Sequence, residues 1–125
     1  MKLSARIEVA RPIDEVFAYL SNFENNPIWQ AGMESARWTS EPPLRVGSTY
    51  VQLARFMGRE IRSNFEVVAY SPGRSVRIKT VQSTFDIDVT RSCQPLQNGG
   101  TLVTAAIDGV PLNFPFSVFN PLMAW

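Results

Sequence analysis

The chain has no histidine and a single cysteine, Cys93. Without histidine there is no His-based triad, no imidazole acid or base and no histidine-ligated metal. A lone cysteine excludes an intrachain disulfide and leaves almost nothing for zinc, while an all-oxygen site stays open. The reading is therefore of a protein with no metal and no cofactor. A single thiol also fits a reducing compartment, so a cytoplasmic location is expected. Charge of one sign is lacking too. Twelve Lys and Arg face eleven Asp and Glu, for a net +1. That balance gives no broad pull on nucleic acid or an anionic membrane. Long apolar runs are also missing. Arg6 and Glu8 interrupt the N-terminus, which rules out a secretory signal there. The apolar stretch from Val110 to Trp125 is broken by Pro111, Pro115 and Pro121, and is too short to span a membrane.

What is present reads as one globular domain over residues 1–125, with 45% hydrophobic and 18% charged residues. Leu3, Ala5, Ile7 and Val9 alternate with polar neighbours, the period of a half-buried strand. Arg11-Pro12 ends it, and Pro12 suits a first helical position, with Asp14 and Glu15 at the positive helix end. Ile13, Val16, Phe17 and Leu20 then recur at helical spacing. A second short helix is predicted through Ile28 and Trp29 to Gly32, and a strand near Glu34–Ser40. From Ser48 the chain reads as five strands separated by Met57-Gly58, Ser71-Pro72-Gly73, Gln82-Ser83 and Asn98-Gly99-Gly100. One strand, then helices, then a run of hairpins predicts an α+β fold with an antiparallel sheet.

Turn positions predict a register. A two-residue turn at Met57-Gly58 puts Tyr50 opposite Phe65, Gln52 opposite Ser63, Ala54 opposite Ile61 and Phe56 opposite Arg59. Arg55 then faces Glu60 on the other side. A two-residue turn at Gln82-Ser83 pairs Thr80 with Phe85, Ile78 with Ile87 and Val76 with Val89, with Lys79–Asp86 and Arg77–Asp88 outside. A four-residue loop from Tyr70 to Gly73 keeps the faces in phase. One face is then almost wholly apolar, joined by Val67 and, in the last strand, by Val103, Ala105 and Ile107. Gln52, Ser63 and Thr80 form a polar row across it. Arg37 and Arg91 are less constrained and are read as able to reach a cavity mouth.

Several segments in this order resemble the START-related SRPBCC superfamily, in its polyketide cyclase/dehydratase-like branch. They are Val9-Ala10-Arg11-Pro12-Ile13-Asp14-Glu15-Val16-Phe17, Phe23 through Pro27 to Trp29, Val46-Gly47-Ser48-Thr49-Tyr50, Glu66-Val67 before Pro72, and Gly100-Thr101-Leu102-Val103-Thr104. The resemblance implies a helix-grip fold: a curved sheet of about seven antiparallel strands, two short helices after the first strand, and a long C-terminal helix over a cavity. It implies hydrophobic ligands, such as lipids, sterols or polyketides, and for some members cyclase or aromatase activity. The chain ends at Trp125, where Asn120 and Pro121 signal a helix start, so the gripping helix is expected to be missing.

The leading expectation is a binding module for a hydrophobic or aromatic small molecule, lipid- or polyketide-like. Its cavity would be lined by Tyr50, Gln52, Phe56, Ser63, Phe65, Val67, Ile78, Thr80, Phe85, Ile87 and Ile107. Two alternatives stay open. One is a cyclase or dehydratase working without metal or histidine, for which Tyr50 is the only strong proton-donor candidate. The other is an interaction domain, or a homodimer, using Phe114, Phe116 and Phe119 of the apolar tail.

Overall fold

The computed structural model describes residues 2–29, 33–56, 58–81 and 86–109, without the side chains of Trp29 and Phe56. Strand β1 (Lys2–Val9) leads to helix α1 (Ile13–Ser21), a 3-10 turn (Phe23–Asn25) and the short helix α2 (Asn26–Trp29). Six strands follow: β2 (Met33–Trp38), β3 (Thr49–Phe56), β4 (Arg59–Ser71), β5 (Ser75–Thr80), β6 (Asp88–Pro95) and β7 (Thr101–Asp108). They form one curved sheet in the order β1-β7-β6-β5-β4-β3-β2, antiparallel throughout. This is the predicted helix-grip class with its seven strands and two short helices. The expected absence of a C-terminal helix, with its start at Asn120 and Pro121, lies outside the described residues.

Alternation decides the layers. Leu3, Ala5, Ile7 and Val9 of β1 pair with Ile107, Ala105, Val103 and Thr101 of β7, which fixes the inward phase at that edge. Helix α1 buries Val16, Phe17 and Leu20, the residues its 3.6 period puts on one side. Pro12 sits one position earlier than predicted, at the N-cap, where its carbonyl accepts from Val16 N at 3.1 Å.

The first hairpin has the predicted register. Tyr50 is opposite Phe65, Gln52 opposite Ser63, Ala54 opposite Ile61 and Phe56 opposite Arg59. Arg55 lies opposite Glu60 on the outer face, but its nearer partner is Glu34 of β2, at 3.0 Å against 4.0 Å. The middle hairpin corrects the expected Tyr70–Gly73 loop. β4 continues to Ser71, which faces Ser75, and Tyr70 is a strand residue opposite Val76. A bulge between Val67 and Ala69 takes up one residue and brings Val67 opposite Ile78.

The register predicted from a Gln82-Ser83 turn is overturned, while Gln82, Ser83 and Phe85 themselves lie outside the described residues. Ile78 faces Val89, not Ile87; Lys79 faces Asp88, not Asp86; and Val76 faces Arg91. Thr80 carries the shifted register one step further: its amide donates to Ile87 O at 3.0 Å and its hydroxyl accepts from Ile87 N at 2.9 Å, so six residues rather than four separate Thr80 from its partner. The slip is two residues, so inward residues stay inward. Arg77 now lies opposite Thr90 yet still reaches diagonally to Asp88, with paired contacts of 3.0 and 2.6 Å. That fork holds the Asp88 carboxyl below its usual range.

Where β7 ends, the backbone approaches the start of β6 closely. Gly109 has φ +94°, and a Cβ there would lie 1.7 Å from Asp86 O. Gly47 has a similar φ of +97° with nothing within 4 Å. Both substitutions to alanine carry the backbone strain, on the order of 1–3 kcal/mol, but only Gly109→Ala also forces two main chains apart. Urea unfolding of the two variants is expected to show Gly109→Ala the more destabilised, and equal losses would contradict this packing.

Candidate functional site

The inward residues of β3 to β7 make a face whose chemistry is uneven along its length. At one end the helices press on it. Phe23 of the 3-10 turn stacks on Tyr50 at 4.9 Å and 7°, and Tyr50 stacks on Phe65 at 5.0 Å and 10°. Trp38 meets Tyr50 edge-on at 5.4 Å, and Phe17 lies 6.3 Å from Tyr70. Such aromatic pairs add about 0.5–1.5 kcal/mol each beyond their buried area.

Arg91 closes this end. Its position two residues after Val89 and two before Cys93 puts it in phase with the inward face, and it is 4% exposed. One guanidinium nitrogen donates to Leu20 O at 3.0 Å and to Asn26 Oδ1 at 3.1 Å, and the guanidinium carbon lies 4.5 Å from the Phe23 ring centre. Asn26 in turn donates to Gln52 Oε1 at 3.1 Å. A continuous polar chain thus runs from the end of α1 through Arg91 and Asn26 to Gln52. Arg91 is not at a cavity mouth, as its sequence position had suggested, but under the helices. Arg37 is exposed, opposite Val51 on the outer face.

The predicted polar row breaks up for the same reasons. Gln52 and Ser63 are opposite each other and buried, but Gln52 bonds Asn26. Thr80 lies opposite Phe65, not beside Ser63, and its hydroxyl is spent on Ile87. Ser63 is left as the hydroxyl of this row that no fold contact claims among the described residues. Of the predicted lining, Tyr50, Phe65, Val67, Ile78, Ile87 and Ile107 are all buried on the inward face. Tyr50 and Phe65 belong to the aromatic stack. The side chains of Phe56 and Phe85 and the tail with Phe114, Phe116 and Phe119 lie outside the described residues.

Among the described residues, the groups on this face with a shifted pKa are Tyr50, Cys93 and Arg91, each moved by burial. Burial pushes the Tyr50 hydroxyl well above its ordinary range, against the opposing pull of the Arg91 charge. Burial raises the Cys93 thiol to about 11. Arg91 is lowered by burial to about 10 and stays protonated at neutral pH. Among the described residues no group of acidic, cysteine or histidine side chains is placed to hold a metal. A concavity of about 650 Å³ lies between the end of α1 and the β2–β3 connection, walled by Trp38, Pro42 and Leu44.

Sequence reading missed Phe23, Asn26 and Arg91 as a unit. The available signal was phase: Val89, Arg91 and Cys93 alternate with polar neighbours in step with the apolar face. The consequence is testable by chemical denaturation. Arg91→Ala is expected to cost about 3 kcal/mol or more, because it strips two buried acceptors of their donor. Arg91→Lys is expected to recover little, since a lysine cannot reproduce the planar stack on Phe23. A ligand-anchoring role alone would leave stability unchanged.

A sequence model of the family described as polyketide cyclase / dehydrase and lipid transport matches residues 1–125. No protein with a curated description matches the sequence. Several solved structures share the fold at low identity. The Deinococcus radiodurans protein DR_A0006 superposes with a TM-score of 0.77 at 12% identity, over 98% of this chain and 92% of its own. A START superfamily protein from Mycobacterium smegmatis gives 0.75 at 18%, over 91% of this chain and 80% of its own. The Zhui aromatase/cyclase from Streptomyces sp. R1128 gives 0.74 at 13%, over 92% of this chain and 70% of its own. With the family model matched along all 125 residues and the helix-grip architecture in place, the chain belongs to the polyketide cyclase / dehydrase and lipid transport family.

Proposed function

We propose that this protein binds a hydrophobic or aromatic small molecule against the inward face of its sheet, without chemical turnover. The observation that carries this reading is the division of that face. Gln52, Asn26 and Arg91 under the helices are spent on holding the fold, Ser63 lies opposite Gln52 with its hydroxyl unclaimed, and the described residues beyond them are apolar up to Arg59 at the hairpin tip. Apolar walls with few convergent polar groups are the ordinary make-up of small-molecule sites. Catalysis by acid or base needs a group whose proton moves near neutral pH. The Tyr50 hydroxyl is held protonated, and every carboxylate of the strands faces outward or sits at a strand end. The family name and the likeness to an aromatase/cyclase keep one enzymatic reading: guiding a spontaneous ring closure by orientation alone. No helix among the described residues is long and apolar enough to cross a membrane. A cytoplasmic site of action, with the buried free thiol of Cys93, belongs to the same proposal.

Native mass spectrometry of the purified protein, followed by titration with the neutral dye Nile red, tests the reading. A retained apolar adduct, or saturable dye binding that Ser63→Val weakens at least threefold while its urea midpoint holds, is the expected result. Dye binding indifferent to Ser63→Val would move the site elsewhere. Turnover of a poly-β-ketone substrate that survives Tyr50→Phe would favour the orientation-only enzyme.

A further inference from the structure

Every Lys, Arg, Asp and Glu of the chain falls within the described residues, so the charge map of the inward face is complete for side chains. Arg91 alone among them is buried, and its guanidinium is engaged by Leu20, Asn26 and Phe23. Register assigns one further charge to this face. Arg59 is opposite Phe56 and in phase with Ile61 and Ser63, at the tip of the β3–β4 hairpin, where it is exposed. The helices contact the opposite end of the sheet, at Tyr50, Gln52, Tyr70 and Arg91. Going from the helices to the hairpin tip, the described residues of the face therefore run from an occupied cation, through a largely apolar stretch with the hydroxyls of Tyr50 and Ser63, to a cation at the rim.

An ionised carboxylate placed in the apolar stretch would lose its water and meet no cation. Such a group neutralises or leaves. A carboxylate at the rim would keep its water and gain Arg59. We infer that the site discriminates by the position of charge on its ligand: it takes molecules that are neutral along their buried length, and acids only with the carboxylate at the Arg59 rim. This rests on the binding reading above and names the ligand class for it. The face suits a ketone, an alcohol or a polycyclic skeleton within, and a long-chain acid only head outward.

Two matched pairs test it by Nile red displacement at pH 8. The rigid pair is 2-acetonaphthone and 2-naphthoate, whose charge cannot leave the ring. The flexible pair is dodecan-1-ol and dodecanoate, whose charge can reach the rim. The ketone is expected to bind at least tenfold tighter than naphthoate. Dodecanoate is expected to bind in the parent and to weaken at least threefold in Arg59→Gln, with dodecanol unchanged. Naphthoate binding as tightly as the ketone, or dodecanoate indifferent to Arg59→Gln, would overturn the inference while leaving the binding reading intact. Failure of all four compounds and of the dye itself would instead overturn the binding reading, and the inference with it.

Discussion

A guanidinium taken out of water must be held by its neighbours, and in this fold Arg91 gathers them. Its two carbonyl acceptors come from Leu20 at the end of α1 and from Asn26 at the start of α2, and Phe23 between them offers its ring face. Three points of the helical segment are thus tied to one residue of β6. Such a cation is costly to bury and costly to leave half-satisfied, so the arrangement tolerates few alternatives. The consequence is positional. With Phe23 fixed by Arg91, Tyr50 and Phe65 stack in sequence, and Trp38 closes the edge. The helices are thereby held at one end of the sheet.

The sheet was legible in the sequence because its side-chain period is two and its turns are well marked. The Met57-Gly58 hairpin is correct to the residue. The β5–β6 hairpin is displaced by two residues, and this was not readable, because the length of the connection between Thr80 and Ile87 leaves the period-two pattern of both strands unchanged. The same arithmetic explains why the error did little harm. A displacement of two leaves the faces unchanged, whereas one residue would have exchanged them. The bulge after Val67 works likewise, absorbing an odd residue so that Val67 and Ile78 share a side. Inward residues were therefore predictable even where their exact partners were not.

The site was less legible, and the shortfall has a single physical origin. Gln52 and Thr80 looked available for a ligand because sequence shows polar residues on an apolar face without showing their partners. The partner of Gln52 is Asn26, which is 26 residues away and reached only when α2 packs on the sheet. The partner of Asn26 is Arg91, 65 residues further on. Helix-to-sheet contacts of this kind have no period and no turn signal to betray them. Arg91 itself could have been placed by phase alone, since Val89 and Cys93 on either side are both buried.

These contacts bear directly on what the face can do. A polar group that is satisfied within the fold neither recruits a ligand nor moves a proton, whatever its residue type. Once Gln52, Thr80 and Arg91 are committed, the chemistry left along the inward face among the described residues is contact area, the hydroxyls of Tyr50 and Ser63 and an exposed cation at Arg59. Contact area is non-directional and scales with apolar surface removed from water. In the proposed binding reading such contact holds a ligand by shape, and selectivity rests on what an apolar wall refuses, charge more strongly than a misplaced methyl group. The fold places its one buried charged side chain under the helices, where Leu20, Asn26 and Phe23 surround it, and the proposed selection against charge follows from that same placement.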